Sequence, residues 1–332
     1  MCLVQSKFAG LARTRADELA SIHPELEGRI DIVEGDITER GLGLAADAQL
    51  RDAIVEIYHL AAVYDLSVPR QAGMRVNVDG TKNMLDFAGE CAFFERFHYV
   101  STCYVSGNYA GVYSEKDLDR GQSFHNYYEE TKFLAEVEVQ KCMREGLAAT
   151  IYRPAVVVGD SSTGATQKYD GPYFIMRFLM RQPRTAILPV VGDPKKHEVN
   201  LVPRDFVLDG ITYLSGRPES RNQVYQLADP SPPTVEDLIQ ELSRVCDRKV
   251  IRVPLSLGLA KAAILHVPGV NSLIGIPADT LDYFVHPTRY ATDRTQAALR
   301  SSGVRCPRFP EYAGRLVEFM RHHPEVGSAA MA

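Results

Sequence analysis

Tyr128 and Lys132 stand four residues apart in the run Tyr128-Glu129-Glu130-Thr131-Lys132, inside a stretch from Asn126 to Glu145 that reads as one long helix. A spacing of four brings a phenol and an ammonium onto one helix face. An ammonium beside a phenol favours the phenolate, which makes the tyrosine a proton donor or acceptor near neutral pH. Alone, the pair fits a solvent-exposed helix face equally well. Upstream, Phe97-His98-Tyr99-Val100-Ser101-Thr102 reads as a strand that ends in hydroxyl residues. A hydroxyl at the carboxyl end of a parallel strand points into the crevice where open α/β sheets bind ligands, and there it can donate to a substrate carbonyl. Otherwise Ser101 and Thr102 simply terminate the strand. Thr102, Tyr128 and Lys132 are the candidate catalytic residues.

Such groups need a parallel sheet to hold them, and the first half of the chain has that pattern. Cys2–Val4 reads as a strand stub, and Leu11–Ile22 has helical periodicity. Arg29–Val33 and Val55–Ala62 alternate as strands do, and Arg75–Phe87 reads as a helix. Thr150–Val158 is an apolar strand interrupted at Pro154. Strands alternating with helices of this length predict parallel βαβ units. Residues 160–200 are rich in Gly, Pro, Asp and Lys and read as loop, with one helix near Tyr173–Arg181. Val202–Leu214 follows as a short strand and helix. Residues 228–233 are a breaker cluster, after which Thr234 and Asp237 have the spacing of a helix-capping pair. Residues 253–276 are mostly apolar, but Pro254, Lys261, His266 and Pro268 interrupt them, so the expectation is core helix rather than a membrane span. The alternative is an acyl channel lined by Leu265 and Ile274. His125 reads as an exposed loop histidine, with a second proton donor as the alternative. His322 and His323 read as solvated surface.

Composition narrows the class. The 332 residues carry a formal net charge of -5, with 45% hydrophobic and 24% charged residues, as in ordinary globular domains. No basic run with interleaved aromatics points to nucleic acid. The six cysteines form no C-x-x-C pair, which suits neither a zinc site nor a disulfide framework and points to a reducing cytoplasm. Residues 1–20 lack the continuous apolar stretch of a signal peptide. No metal-ligand cluster is evident.

Several stretches in fixed order carry a resemblance. They are V-E-G-D-I-T at Val33–Thr38, H-L-A-A-V-Y-D at His59–Asp65, N-V-D-G-T at Asn77–Thr81 and Y-V-S-T at Tyr99–Thr102. They continue with N-Y-Y-E-E-T-K at Asn126–Lys132, Y-R-P at Tyr152–Pro154, V-V-G-D-S at Val157–Ser161 and V-P-R-D-F-V at Val202–Val207. In this order the chain resembles the extended short-chain dehydrogenase/reductases, and within them the thioester reductase and fatty acyl-CoA reductase branch. The resemblance implies an α/β fold: a Rossmann-like doubly wound parallel sheet with a smaller, mostly helical C-terminal substrate domain. Residues 1–160 with about 199–215 would bind the dinucleotide, and 161–198 with 216–330 the substrate. It also implies roles. Asp36 and Ile37 lie by the adenine. Ala61, Ala62 and Tyr64 border the ribose and pyrophosphate, with Asn77 in the same set. Lys132 holds the nicotinamide ribose, and Pro154 begins the segment beside the nicotinamide.

The family opens with a strand, a glycine-rich turn and a helix that bring backbone N–H groups to the pyrophosphate. This sequence begins at what matches the second strand, so that first unit is expected to be missing. Gly41-Leu42-Gly43-Leu44-Ala45-Ala46 fits G-x-G-x-x-A, but no strand runs directly into it, and it reads as a surface loop. After Val4 come Gln5, Ser6 and Lys7, with Arg13 and Arg15 beyond and no acid to take a ribose 2′-hydroxyl. That favours NADP(H), contacted by Lys7, over NAD(H). In the branch an Arg usually stands where this chain has Gln5. The expected reaction is NADPH-dependent reduction of a fatty acyl thioester, on CoA or an acyl carrier protein, to an aldehyde or alcohol. The alternatives are a nucleotide-sugar epimerase or dehydratase, a hydroxysteroid-type dehydrogenase, and a non-catalytic remnant with impaired cofactor binding. A homodimer is common in the superfamily.

Overall fold

The computed structural model describes residues 1–44, 47–267 and 275–328. In chain order the first half runs β1 (Cys2–Val4), α1 (Ala9–Ile22), β2 (Ile32–Glu34), α2 (Asp47–Ala53) and β3 (Glu56–His59). Next α3 (Arg70–Gly73) passes through a π-helical segment, Met74–Asp79, into α4 (Gly80–Glu90). Then come β4 (Arg96–Val100), β5 (Gly111–Tyr113), α5 (Tyr127–Arg144), β6 (Ala149–Pro154) and β7 (Val156–Val158). The second half runs α6 (Pro172–Arg181), β8 (Thr185–Val191), β9 (Leu201–Pro203), α7 (Arg204–Ser215), β10 (Gln223–Leu227) and α8 (Val235–Val245). It ends with β11 (Lys249–Leu255), α9 (Leu257–His266), β12 (Thr288–Tyr290), α10 (Asp293–Leu299) and α11 (Phe309–His322).

The central sheet is parallel, in the order β10-β6-β4-β3, with Phe97 opposite Ala149 and Ile57 opposite Phe97. Every residue of β6 is buried, as expected of a strand covered on both faces. Alternation along the strands sorts the cover. Tyr99 and Ile151 point to the side of Ala135 and Val139 on α5 and Leu85 on α4. Tyr152 and Tyr225 point to the side of Phe206 and Leu214 on α7. The sheet is thus doubly wound, as the sequence led us to expect. Among the described residues β1 pairs with β2 alone, in parallel, with Leu3 opposite Val33. Among the described residues, β1 and β3 are each hydrogen-bonded along one edge only. Helix α1 buries Ala9 alone and leaves Leu11, Leu19 and Ile22 exposed.

The C-terminal region has its own core, in which Tyr173 and Met176 of α6 meet Leu238 and Leu242 of α8 and Tyr312 and Leu316 of α11. Thr234 caps α8 and makes the reciprocal capping box with Asp237. Two details differ from the sequence reading. Residues 185–191, where composition indicates loop, form β8, which pairs in parallel with β11. Pro189 sits inside that strand because the sheet has only two strands, so a missing N–H facing outward breaks no ladder. The 253–276 segment is not one core helix. Its first residues end β11, and α9 then buries Ala260 and Ile264 while Leu259 and Leu265 stay exposed. Leu265 is not among the residues that line the cavity at the strand ends, and Ile274 lies outside the described residues. Among the described residues no helix is long and apolar enough to cross a membrane.

Candidate active site

Thr102 leaves β4 in extended geometry, and its Oγ1 accepts the Tyr104 N–H at 3.2 Å, which starts a 3-10 turn over Cys103–Ser106. The same hydroxyl lies 3.5 Å from the Pro154 carbonyl, at the end of β6. Ser101 faces elsewhere: its Oγ donates to Glu136 at 2.6 Å. Tyr128 occupies the first turn of α5, which Asn126 caps by accepting the Glu129 N–H at 3.0 Å. Lys132 follows one turn later on the same face. Thr102, Tyr128 and Pro154 open onto a cavity of ≈ 480 Å³ at the carboxyl ends of β4 and β6, with Val156, Phe174 and Leu201 among its apolar walls. Tyr64 meets Tyr128 edge-on, ring centroids 5.0 Å apart.

The electrostatics differ from the simple pairing of phenol and ammonium. Lys132 Nζ donates to the Val100 carbonyl at 2.8 Å and lies 4.4 Å over the Tyr99 ring. Its ammonium is thereby held at the end of β4. Burial lowers its pKa to about 7, partly opposed by Glu136. Burial raises the Tyr128 phenol, and Glu129 and Asp170 push the same way, while a hydrogen bond with Thr102 lowers it. The net displacement of the Tyr128 phenol is therefore upward, where a lowering was expected. The phenol stays protonated, and this is the form that donates.

The other expected site residues divide into groups. Tyr64 and Pro154 line the same cavity as Thr102 and Tyr128. Asn77 is buried in the π-helical segment. Its Oδ1 accepts the Val63 N–H at 2.8 Å and its Nδ2 donates to Thr131 at 3.0 Å, so it braces the Ala61–Val63 loop from behind. Ala61 is exposed and Ala62 half-buried on that loop. Asp36 accepts from the Thr38 N–H and from Gln5 Nε2, each at 2.8 Å, beyond the end of β2. Ile37 packs on α4 at Gly80, where a Cβ would come within 2.9 Å of its Cδ1. Lys7 lies 4.6 Å over the Phe8 ring. Arg13 and Arg15 are paired with Glu34 and Glu18. Lys7, Asp36 and Ile37 do not line the cavity. Gly41–Gly43 form a 3-10 turn at positive φ with Leu42 buried, not a strand-to-helix turn.

Three cavity-lining residues carry no sequence motif. Lys168 and Asp170 pair at 3.3 Å beside Tyr64. Tyr283 also lines the cavity and donates to the buried Glu129 at 2.8 Å. His125 is not an exposed loop histidine. Its ring is 18% exposed and its Nδ1 lies 3.2 Å from Glu129. The spacing of four between His125 and Glu129 was a readable signal. Nothing in the sequence linked Tyr283 to either. Among the described residues no group of three or more metal-type ligands comes together.

A doubly wound parallel sheet with a cavity at its strand ends is the architecture of the extended short-chain dehydrogenase/reductases. The chain belongs to the NAD-binding family described as male sterility protein, whose profile matches residues 1–211. It is 28% identical, over 93% of its length, to 6% of a linear gramicidin synthase from Brevibacillus parabrevis. It is 30% identical, over 54% of its length, to 14% of the L-2-aminoadipate reductase large subunit from Eremothecium gossypii. The chain therefore spans a small part of these relatives. Among solved structures, the terminal R domain of the myxalamid PKS-NRPS pathway matches with a TM-score of 0.82 and 26% identity, covering 98% of this chain and 84% of that one. A thiolation-reductase di-domain from an archaeal non-ribosomal peptide synthetase shares the fold, with a TM-score of 0.75 and 23% identity over 98% of this chain and 70% of that one.

Proposed function

We propose that the chain reduces an acyl thioester, carried on CoA or on a carrier protein, to an aldehyde or alcohol, with NADPH as reductant. The likeness to a terminal R domain across 98% of the chain carries this reading. The cavity suits it. Its walls are apolar enough for an acyl chain, and a hydroxyl and a protonated phenol stand at its inner end. A nucleotide sugar would want cations for its pyrophosphate. The described lining has one, Lys168, already facing Asp170.

The nicotinamide supplies a hydride when bound. In this reading Lys132, Tyr64 and Pro154 flank its ring and ribose, and the Ala61–Ala62 loop, held by Asn77, borders the diphosphate. Asp36 and Ile37 lie toward the adenine. Lys7, with Gln5 and Ser6 and no acid after β1, supports NADPH over NADH. Thr102 and Tyr128 donate to the thioester oxygen as negative charge grows on it. Tyr128, protonated because it is buried, gives up its proton to that oxygen.

The test is NADPH oxidation with acyl-CoA and with carrier-bound acyl substrates, with aldehyde and alcohol identified as products. Tyr128→Phe should lower kcat by roughly 10²–10⁴-fold, the range for a positioned general acid. Near-normal turnover by that variant would sink the mechanism. Ketone reduction without any response to thioesters would move the assignment to the dehydrogenase alternatives.

A further inference from the structure

The cavity has a titratable lining residue that the proposed reaction leaves unused. Tyr283, on the 3-10 segment Ala278–Val285, lines it. Its Oη accepts from Asn126 Nδ2 at 3.0 Å and donates to Glu129 Oε1 at 2.8 Å. The other carboxylate oxygen of Glu129 accepts the His125 backbone N–H at 2.9 Å and lies 3.2 Å from His125 Nδ1. Glu129 is completely buried, whereas the His125 ring reaches solvent. Three titratable groups thus form one hydrogen-bonded file from the cavity to the surface. Burying a carboxylate is expensive unless it is paired, and Asn126 already caps the helix.

We infer that Tyr283, Glu129 and His125 form a second proton path into the cavity, which protonates the sulfur of the departing thiol. The inference rests on the thioester reading. Reduction of a thioester to an aldehyde and a thiol consumes one hydride and one proton. The carbonyl carbon first gains the hydride and its oxygen the Tyr128 proton, giving a hemithioacetal. The C–S bond then breaks and its electron pair goes to sulfur. The hydroxyl proton returns to Tyr128 as the carbonyl re-forms, and sulfur takes a proton from Tyr283. Glu129 passes the His125 proton to the Tyr283 oxygen, and solvent restores His125. Tyr128 ends as it began, so the net proton enters through His125.

The surroundings of His125 fit this duty. Its hydrogen bond to Glu129 raises its pKa, Asp282 adds to this, and burial and Lys261 oppose it. Lys261 and Asp282 are themselves paired at 2.6 Å. His286, with its ring 5.7 Å from that of His125, is held neutral by burial, its pKa pushed down to about 3. Tyr283 is kept a phenol by burial and by Glu129. The proton therefore resides at the solvent end of the file.

The experiment uses the full chain with NADPH and two esters of one acyl group, an alkyl thioester and a thiophenyl ester, in single turnovers that follow thiol release against pH. An alkyl thiolate needs the proton, whereas thiophenolate leaves without it. Tyr283→Phe and His125→Gln should slow alkyl thiol release at least tenfold, and His125→Gln should abolish the fall in rate as pH rises through the histidine range. Both variants should release thiophenol within about twofold of wild type. Equal losses on both esters, or no loss on either, would overturn the relay while leaving thioester reduction standing. Failure of the wild-type chain to reduce either ester, with NADPH still bound, would overturn both readings. If Tyr283→Phe does not fold, His125→Gln near the surface decides alone.

Discussion

Lys132 Nζ donates to the Val100 carbonyl at the end of β4, where it is buried from solvent. A measurable pH dependence follows. The folded chain releases the Lys132 proton near pH 7, whereas an ordinary lysine keeps it to 10.5. Between those values the unfolded chain binds more protons, so this residue makes stability rise with pH, by up to about 1.4 kcal/mol per unit. The rise should show in urea melts of the cofactor-free protein from pH 7 to 9.5, and Lys132→Met should flatten it. An unchanged slope in that variant would mean that another group titrates there. At this scale the sequence was informative where chemistry repeats at short spacing. Thr102, Tyr128 and Lys132 could be singled out, and so in principle could His125 with Glu129. Tyr283, Lys168 and Asp170 could not, because they reach the cavity through long-range packing that leaves no local pattern. The direction in which Lys132 points was equally hidden, since it depends on a carbonyl 32 residues away.

Helix α5 does more than display the site. Glu136, one turn beyond Lys132, accepts from Arg153 of β6 at 2.6 Å and from Ser101 at 2.6 Å, with both members of the ion pair fully buried. The Arg153 guanidinium also donates to the Asp117 carbonyl at 2.8 Å. One buried cluster thus fixes the end of β4, the start of the Thr102 turn and the face of α5. Glu136→Gln leaves a buried guanidinium without its counter-charge, and should cost about 3–5 kcal/mol in urea unfolding. A loss below about 1 kcal/mol would mean that water or the neighbouring carbonyls already compensate Arg153. The extent of α5 was legible from its helical pattern, read over Asn126–Glu145 and found at Tyr127–Arg144. β8 was not, because the surrounding Gly and Pro, and Pro189 within the strand, carry a loop signature that only its position in a two-stranded sheet removes.

Across the whole molecule, alternating strands and helices predicted parallel βαβ units, and the resemblance carried by the ordered motifs implied the doubly wound sheet. Two of the parallel rows, β2-β1 and β10-β6-β4-β3, share no strand pairing among the described residues, which has a consequence for cooperativity. β1 and β2 share a three-residue ladder, and α1 adds only Ala9 to the buried surface. β4 and β6, by contrast, are enclosed on both faces and paired on both edges. Amide hydrogens of β1 and β2 should therefore exchange with deuterium through local opening, at least a hundredfold faster than those of β4 and β6, whose exchange requires global unfolding. Uniform protection across both rows would show that they open as one unit. If the two rows do open separately, calorimetry would report a van't Hoff enthalpy below the measured heat, because the chain would melt as two linked bodies rather than one.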